Sequence, residues 1–295
     1  MNESIVSYHN SGILTVCKTV ADLKAELRER KAAGKTIGLV PTMGALHEGH
    51  LSLINIAIEN ADEVVVSIFV NPAQFGPSED FESYPRNLES DLEACAEAGV
   101  SIVFAPDRNE LYSETNYFKI KIESLNKHMC GGSRPGFFEG VILIVNKLFN
   151  IVGPDIAVFG QKDIQQVQII KQMVKEFNHS VKILTCPIQR ANDGLALSSR
   201  NAYLTDEQRI TAPGLYRSLQ YVKTQITAGV HTPELMIKHQ KSELEAKGFG
   251  IDYFNVYSLE KLEPVDTLKK GETYIIASAV YLGKTRLIDN LLIEP

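Results

Sequence analysis

Apolar positions in the first two thirds of the chain alternate between helical and strand-like spacing. Val20, Leu23 and Leu27 recur at helical intervals, and similar spacing returns within residues 46–60. The run VVVSIFV at 64–70 is β-branched and continuous, which is typical of a strand buried on both faces. The pattern predicts helices over 21–33, 46–60, 88–98, 141–152 and 162–177, and strands over 36–40, 64–70, 101–104, 155–159 and 181–186. Alternating strands and helices predict an α/β fold with an open, doubly wound parallel sheet.

The pattern changes after Pro187. Residues 206–247 are mostly helical in spacing, and the runs DYFNVYSL, TYIIASAVYL and KTRLID then predict strands close together in sequence. Such closely spaced strands favour a partly antiparallel sheet. We therefore predict a first domain over 1–188 and a smaller α+β domain over 189–295.

Composition narrows the class of protein. The net charge of −6 and the isoelectric point of about 5.7 argue against a nucleic-acid or membrane-surface partner, because both need a basic surface. No run approaches the ~20 apolar residues of a membrane helix, and the polar N-terminus is unlike a signal peptide. The four cysteines form no CxxC pair, which fits a reducing cytosol. We expect a soluble, cytoplasmic enzyme.

The segment PTMGALHEGHLSLI places His47 and His50 directly after the first predicted strand of the alternating pattern. It is not a zinc-protease HExxH motif, because Leu51 stands four positions after His47. Walker and GxGxxG phosphate loops are also absent. A helix N-terminus at the carboxyl end of a strand can bind an anion, and two imidazoles there could donate to phosphate oxygens. The alternative is that both histidines only cap the helix or pack on the sheet.

Other polar groups follow other predicted strands. FGQKDIQQ offers Lys162 as a phosphate-directed charge and Asp163 as an acceptor for ribose hydroxyls, and DGLALSSRN offers hydroxyls beside the guanidinium of Arg200. Asn71 and Gln74 follow the strand at 64–70. Each group alone could be ordinary surface. Because parallel strands end at one sheet edge, their convergence favours a site for phosphates and carboxylates.

Two further residues carry charges suited to such a site. Asp91 could help to hold Mg²⁺ through water, since Mg²⁺ usually keeps several waters and takes few protein carboxylates. Arg134, within GGSRPGFFEG, is a natural partner for a carboxylate.

The ordered set PTMGALHEGH, FVNPAQF, SRPGFFEGV, GQKDIQQ, DGLALSSRN and GKTRLIDN resembles the pantothenate synthetase (pantoate–β-alanine ligase) family of the HIGH-motif nucleotidylyltransferase superfamily. The resemblance runs from about residue 36 to 290. It implies a Rossmann-like N-terminal domain that binds ATP and pantoate, a C-terminal lid and a homodimer. It also implies ATP- and Mg²⁺-dependent condensation of (R)-pantoate with β-alanine through pantoyl adenylate, releasing AMP and pyrophosphate, with no tightly bound organic cofactor.

The resemblance also implies roles for particular residues. The catalytic set is His50, His47, Lys162 and Arg200. The ATP-binding set is Met43, Gly44, Ala45, Leu46, His47, Glu48, Gly49, His50, Gly160, Gln161, Lys162, Asp163, Gln189, Leu197, Ser198, Ser199 and Arg200. Pantoate and β-alanine are expected at Gln74, Gln166, Arg134 and Asn71, and Mg²⁺ at Asp91 through water.

The chain departs from the family pattern at Phe137, Leu143 and Leu197, where the family usually has His, Thr and Met. Leucine for methionine conserves volume, whereas the other two changes replace polar groups with apolar ones. Two alternatives to the ligase stay open, and Phe137 and Leu143 support only the second of them. One is a nucleotidylyltransferase that releases a stable nucleotidyl product, and the other is a nucleotide-binding protein that has lost its catalysis.

Overall fold

The computed structural model describes residues 5–7, 13–77, 79–115 and 117–295. The strands are β1 (Ile5–Ser7), β2 (Ile13–Cys17), β3 (Ile37–Thr42), β4 (Glu63–Ile68), β5 (Ile102–Phe104), β6 (Ile156–Gly160), β7 (Lys182–Cys186), β8 (Phe249–Ser258), β9 (Tyr274–Leu282) and β10 (Thr285–Ile293). The helices are α1 (Val20–Ala32), α2 (Glu48–Asn60), α3 (Leu88–Glu97), α4 (Arg108–Leu111), α5 (Met129–Ser133), α6 (Phe137–Val152), α7 (Ile164–Glu176), α8 (Asp206–Thr211), α9 (Gly214–Thr227) and α10 (Glu234–Ala246). Short 3₁₀ turns cover Pro72–Gln74, Gln161–Asp163 and Ser199–Tyr203.

The chain divides into two compact units, and the first contains a seven-stranded sheet. This unit holds the described residues up to Lys121, together with Gly136–Gly160 and Ile169–Pro187. Its strand order is β1-β2-β5-β4-β3-β6-β7, in which β1 runs antiparallel to β2 and the other six strands are parallel. The predicted doubly wound α/β fold is therefore confirmed.

The direction of strand order reverses beside β3, which pairs with β4 on one side and with β6 on the other. The two neighbours come from distant parts of the chain: the Ile37 N–H donates to Asp155 Oδ2 at 2.7 Å across 118 positions. Helix α2 packs Ile54 and Ala57 into the core of the sheet. Ligands of open α/β sheets bind outside the carboxyl ends of the strands at such a reversal. The loops after β3, β4 and β6 are therefore where a site is expected.

The second unit contains a three-stranded antiparallel sheet in the order β10-β9-β8. It comprises Ile122–Pro135, Gln161–Gln168 and Ile188–Pro295. Leu215 and Leu219 of α9 share a buried core with Phe254 and Ile276 of the sheet. The predicted strands are confirmed, and all of their pairings are antiparallel. The predicted boundary at residue 188 stays a prediction, and two earlier segments of the chain also belong to this unit.

Three helix starts differ from the prediction by two or more residues, and the first is α2, which begins at Glu48 rather than at residue 46. Helix α6 begins at Phe137 rather than near residue 141. The segment FFEG contains a glycine, which lowers its helix propensity, so the sequence pattern predicts no helix there although the structure has one. The helix predicted from residue 162 begins as the 3₁₀ turn Gln161–Asp163, and α7 follows at Ile164. Within the described ranges, every helix is too short or too polar to span a bilayer.

Candidate functional site

The loop after β3 turns sharply before α2. Gly44 and Ala45 have φ values of +80° and +51°, so two consecutive residues lie in the left-handed region. A Cβ added to Gly44 would lie 2.8 Å from Asp91 Oδ2, so a side chain would be both strained and crowded there. The turn therefore brings the backbone close to a carboxylate and points the chain into the helix.

Asp91 holds this loop from the first turn of α3. Its side chain is buried, and its two oxygens accept from the backbone N–H groups of Ala45 at 3.0 Å and Leu46 at 2.7 Å. Burial raises the pKa of the Asp91 carboxyl, and the two backbone donors partly oppose that rise. The observed contacts of Asp91 are thus with the loop, and its predicted role toward Mg²⁺ stays a prediction.

His47 and His50 close the N-terminus of α2 reciprocally. Nδ1 of His47 accepts from the Gly49 N–H at 3.0 Å, and Nδ1 of His50 accepts from the His47 N–H at 3.3 Å. The two ring centres are 4.1 Å apart. The capping interpretation is therefore correct, and it does not compete with anion binding.

These contacts determine which ring nitrogen carries hydrogen. A neutral imidazole that accepts through Nδ1 carries its proton on Nε2. Capping therefore fixes a tautomer in which both rings present Nε2–H as a donor, beside a helix N-terminus with a partial positive charge of about half a unit. This arrangement suits an anion such as a phosphate.

A second polar cluster follows β4 at the same edge of the sheet. Asn71 is 1% exposed, and its Nδ2 donates to Gln74 Oε1 at 2.8 Å and to the Gly140 carbonyl at 3.1 Å. The Tyr112 hydroxyl donates to Asn71 Oδ1 at 2.6 Å, and burial raises the pKa of that hydroxyl to about 12. Asn71 is therefore committed to protein partners, and its contacts orient the amide of the half-buried Gln74.

In the second unit, Lys162 lies in the 3₁₀ turn that follows β6 along the chain. It lines a small cavity together with Ser198 and Asp289. The loop carrying Ser198 is narrow, since the Leu197 N–H donates to the Gln189 carbonyl at 2.9 Å. Ser198 Oγ accepts from the Arg200 N–H at 3.3 Å and so caps the next 3₁₀ turn. Two of the predicted phosphate-directed segments therefore meet at one cavity.

The segment carrying Arg134 is fixed by a residue next to the predicted Gln166. Gln165 is 3% exposed, and its Nε2 donates to the carbonyls of Leu125 and His128 at 2.9 and 2.8 Å. Its Oε1 accepts from the Gly131 N–H at 3.3 Å. All three contacts lie in the segment before Arg134, so Gln165 attaches that segment to the start of α7.

Three residues that support the predicted ones were missed by the sequence reasoning: Tyr112, Gln165 and Asn290. Gln165 and Asn290 lie in the quoted segments GQKDIQQ and GKTRLIDN, but the sequence pattern assigns no chemistry to either residue. Tyr112 lies outside every quoted segment, and its partner Asn71 is 41 positions away. In the described ranges, no group of three or more His, Cys, Asp or Glu residues could hold a metal ion. Mg²⁺ at a phosphate site commonly takes most of its ligands from substrate and water.

A parallel sheet with a helix N-terminus, paired histidines and ordered amides at its carboxyl edge defines an α/β enzyme for small anionic substrates. A sequence model of the family described as pantoate-beta-alanine ligase matches residues 15–292. The pantothenate synthetase of Acetivibrio thermocellus is 50% identical over 282 residues, which cover 95% of this chain and 100% of that protein. The enzyme of Pseudomonas fluorescens is 48% identical over 280 residues, covering 94% and 98%.

Solved structures give the same result. Pantothenate synthetase from Thermus thermophilus aligns with a TM-score of 0.87 at 40% identity, covering 95% of this chain and 99% of that one. Pantoate-beta-alanine ligase from Francisella tularensis, complexed with beta-gamma ATP and beta-alanine, aligns with a TM-score of 0.79 at 34% identity, covering 94% and 97%. The chain belongs to the pantoate–β-alanine ligase family. It joins pantoate to β-alanine, and the product is pantothenate.

Proposed function

We propose that the ligation uses ATP and proceeds through pantoyl adenylate. A carboxylate oxygen of (R)-pantoate attacks the α-phosphorus, and the bond from that phosphorus to pyrophosphate breaks. The β-alanine amine then attacks the acyl carbon, AMP leaves with the former carboxylate oxygen, and the amine loses a proton. The observation that carries this proposal is the capped α2 N-terminus at the sheet edge, where Nδ1 of both histidines accepts from the backbone and Nε2 is left to carry the proton. The nucleotide and β-alanine bound to the Francisella enzyme support it.

The nucleotide is proposed to bind along the loops after β3 and β6 and along 189–200. Residues Met43–His50 would contact ATP. Within this range His47 and His50 would hold the phosphates, with their Nε2–H groups stabilising the charge that grows as pyrophosphate leaves. Lys162 and Arg200 are also proposed to contact phosphates of the nucleotide, as are Ser198, Ser199 and Leu197. Gly160, Gln161 and Asp163 would contact the nucleotide, Asp163 at the ribose, and Gln189 would contact adenine through its backbone.

The acid substrates are proposed to bind at Gln74, Gln166 and Arg134. Gln74 has an orientation supported by Asn71, whose own amide is engaged with the protein. We therefore assign Asn71 to substrate binding through Gln74 rather than by direct contact. Arg134 suits a carboxylate because its guanidinium can donate two parallel hydrogen bonds.

Mg²⁺ is proposed to enter with ATP and to balance phosphate charge in the adenylation step. It prefers six oxygen ligands and usually keeps several waters beside substrate phosphates. Asp91 would reach the ion only through water, since both of its oxygens accept from the loop. The two possible roles of Asp91, holding the loop and holding the ion, make different predictions.

For Asp91→Asn we expect a loss of loop support with little change in Mg²⁺ dependence. The amide replaces one acceptor oxygen with a donor, so one backbone N–H of the loop loses its partner. This should lower the free energy of unfolding by about 1–3 kcal/mol and raise the KM for ATP. Urea unfolding and Mg²⁺ titrations at saturating ATP measure both effects. A several-fold rise in the Mg²⁺ concentration for half activity, with unchanged unfolding, would instead favour the ion-binding role.

Domain roles, assembly and location form the last part of the proposal. We assign 1–188 to ATP and pantoate binding and 189–295 to a lid, following the family resemblance. A homodimer is also proposed, and it is supported by Tyr117 and Phe118, which expose 84% and 90% of their surface. Sedimentation equilibrium measures the dimer. The cytoplasmic location rests on the resemblance alone, and fractionation of the producing cells tests it.

A mass-resolved product assay tests the two-step reaction. Protein with ATP, Mg²⁺ and pantoate should yield pantoyl adenylate and pyrophosphate, and adding β-alanine should yield AMP and pantothenate. A nucleotidyl product that persists when the amine is added would favour a nucleotidylyltransferase. ATP binding without any pyrophosphate would favour a nucleotide-binding protein without catalysis. The assay also establishes whether Phe137 and Leu143 are compatible with turnover.

A further inference from the structure

The segment GKTRLIDN near the C-terminus ends in Asp289 and Asn290 of β10, and neither side chain has a role in the proposal above. Both are buried, with 4% and 1% of their surface exposed. A buried carboxylate beside a buried carboxamide on one strand is costly unless both are fully hydrogen-bonded. Their partners therefore indicate what the segment does.

The Asn290 side chain is hydrogen-bonded to the turn that carries Lys162. Its Nδ2 donates to the Gln161 carbonyl at 2.9 Å and to the Lys162 carbonyl at 3.0 Å, and its Oδ1 accepts from Gln161 Nε2 at 3.3 Å. Carbonyl oxygens only accept, so the NH₂ side of the amide must face them. The two carbonyls belong to the peptide units on either side of the Lys162 Cα. Holding both peptide planes fixes the backbone dihedrals of Lys162 and the direction in which its side chain leaves.

Asp289 fixes the part of β10 that carries Asn290. Its oxygens accept from the Arg190 guanidinium at 2.6 and 2.8 Å, and Oδ1 also accepts from the Asn290 N–H at 2.7 Å. Arg190 stacks 3.8 Å from the ring centre of Tyr216 and donates to the Gly194 carbonyl. Asn290 thus projects from a strand that is held by its pairing with β9 and by the contact of Asp289 with Arg190.

We propose that Asn290 is a positioning residue for adenylation, and that it holds Lys162 at the phosphates of ATP. The inference rests on the proposed role of Lys162. Asn290 would not touch the nucleotide itself, and it would set the geometry of a residue that does. A misplacement of about 1 Å at a reacting centre can cost about a hundredfold in rate. Loss of the Asn290 amide should therefore act on the rate constant of pyrophosphate formation.

The test is a double-mutant cycle of Asn290→Ala with Lys162→Ala, read by single-turnover release of pyrophosphate from labelled ATP with pantoate. We expect Asn290→Ala to slow the step about ten- to a hundredfold and to leave the KM for β-alanine unchanged. In the Lys162→Ala background the same substitution should add less than about threefold, because its target is gone. Asn255→Ala is the matched control, since Asn255 and Asn290 both lie opposite Ala277, on either side of β9.

The Asn255→Ala control should stay within about twofold of the parent. Equal losses from Asn290→Ala in both backgrounds would overturn the inference, because they indicate a general effect on the fold. Unchanged release in the Asn290→Ala protein would overturn it as well. Unchanged release in Lys162→Ala alone would contradict the proposed function of that lysine, which is a separate failure. If Asn290→Ala does not fold by circular dichroism, Asn290→Ser replaces it, because its hydroxyl can still donate to one carbonyl. It should slow the step in the parent and add less than about threefold in the Lys162→Ala background.

Discussion

Replacing His50 with asparagine is expected to leave a folded protein whose pyrophosphate formation is slowed about a hundred- to a thousandfold. The asparagine Oδ1 can take the place of Nδ1 and accept from the His47 N–H, so the start of α2 is retained. No atom of asparagine reaches the position of Nε2. The substitution therefore removes only the donor proposed to face the phosphates, and loss of one such donor typically costs about this factor.

His50→Gln is the matched variant, because its amide nitrogen lies near the former Nε2. Its Oε1 can still accept from the His47 N–H, as Gln208 Oε1 accepts from the Thr205 N–H in the capping box of α8. It should therefore be about as stable as His50→Asn but faster in single-turnover pyrophosphate release. Thermal unfolding and rapid-quench kinetics compare the two proteins. Equal rates in the two variants, or a slower glutamine variant, would show that the reaction does not depend on the Nε2 donor.

Substituting Gly140 with alanine should produce the largest loss of stability among these variants. A Cβ at this position would lie 2.0 Å from the Ala73 carbonyl oxygen, so α6 and the turn Pro72–Gln74 must separate. The shift also breaks the bond from Asn71 to the Gly140 carbonyl. We expect a loss of about 3 kcal/mol or more, because overpacking costs ~1–3 kcal/mol and a buried unpaired group adds ~1–3 kcal/mol.

Gly76→Ala is the control for Gly140→Ala, since a Cβ at Gly76 meets only Glu79 side-chain atoms at 3.7 Å or more. Urea unfolding should place the control within about 0.5 kcal/mol of the parent. Displacement of Gln74 should also raise the KM for pantoate in Gly140→Ala alone. An unchanged unfolding midpoint in that variant would show that the turn yields easily, and the packing argument would be wrong.

Hydrophobic spacing was sufficient to predict the α/β fold, because helix and strand periods depend on local sequence. It did not predict β2 or the first turn of α6. In that turn Gly140 lies against the turn Pro72–Gln74, about seventy positions earlier, where there is no room for a side chain. Ligands of open α/β sheets bind at the carboxyl ends of the strands, and this was sufficient to predict His47 and Asn71 as site residues because both lie in loops after strands. The hydrogen bonds that orient the site residues could not be predicted from the sequence. Tyr112 and Asn290 act on partners 41 and 128 or more positions away, and no local pattern encodes such pairs.

The pairing of β3 with β6 has a consequence for how the protein is made. Its strands are joined by the Ile37–Asp155 contact across 118 positions, and such non-local pairings form slowly because a long loop must close first. Ribosomes add about 5–20 residues per second. The loop after β3, which carries His47 and His50, is therefore synthesised many seconds before β6 emerges. During that interval β3 can pair only with β4, and its other edge is open to pairing with another chain.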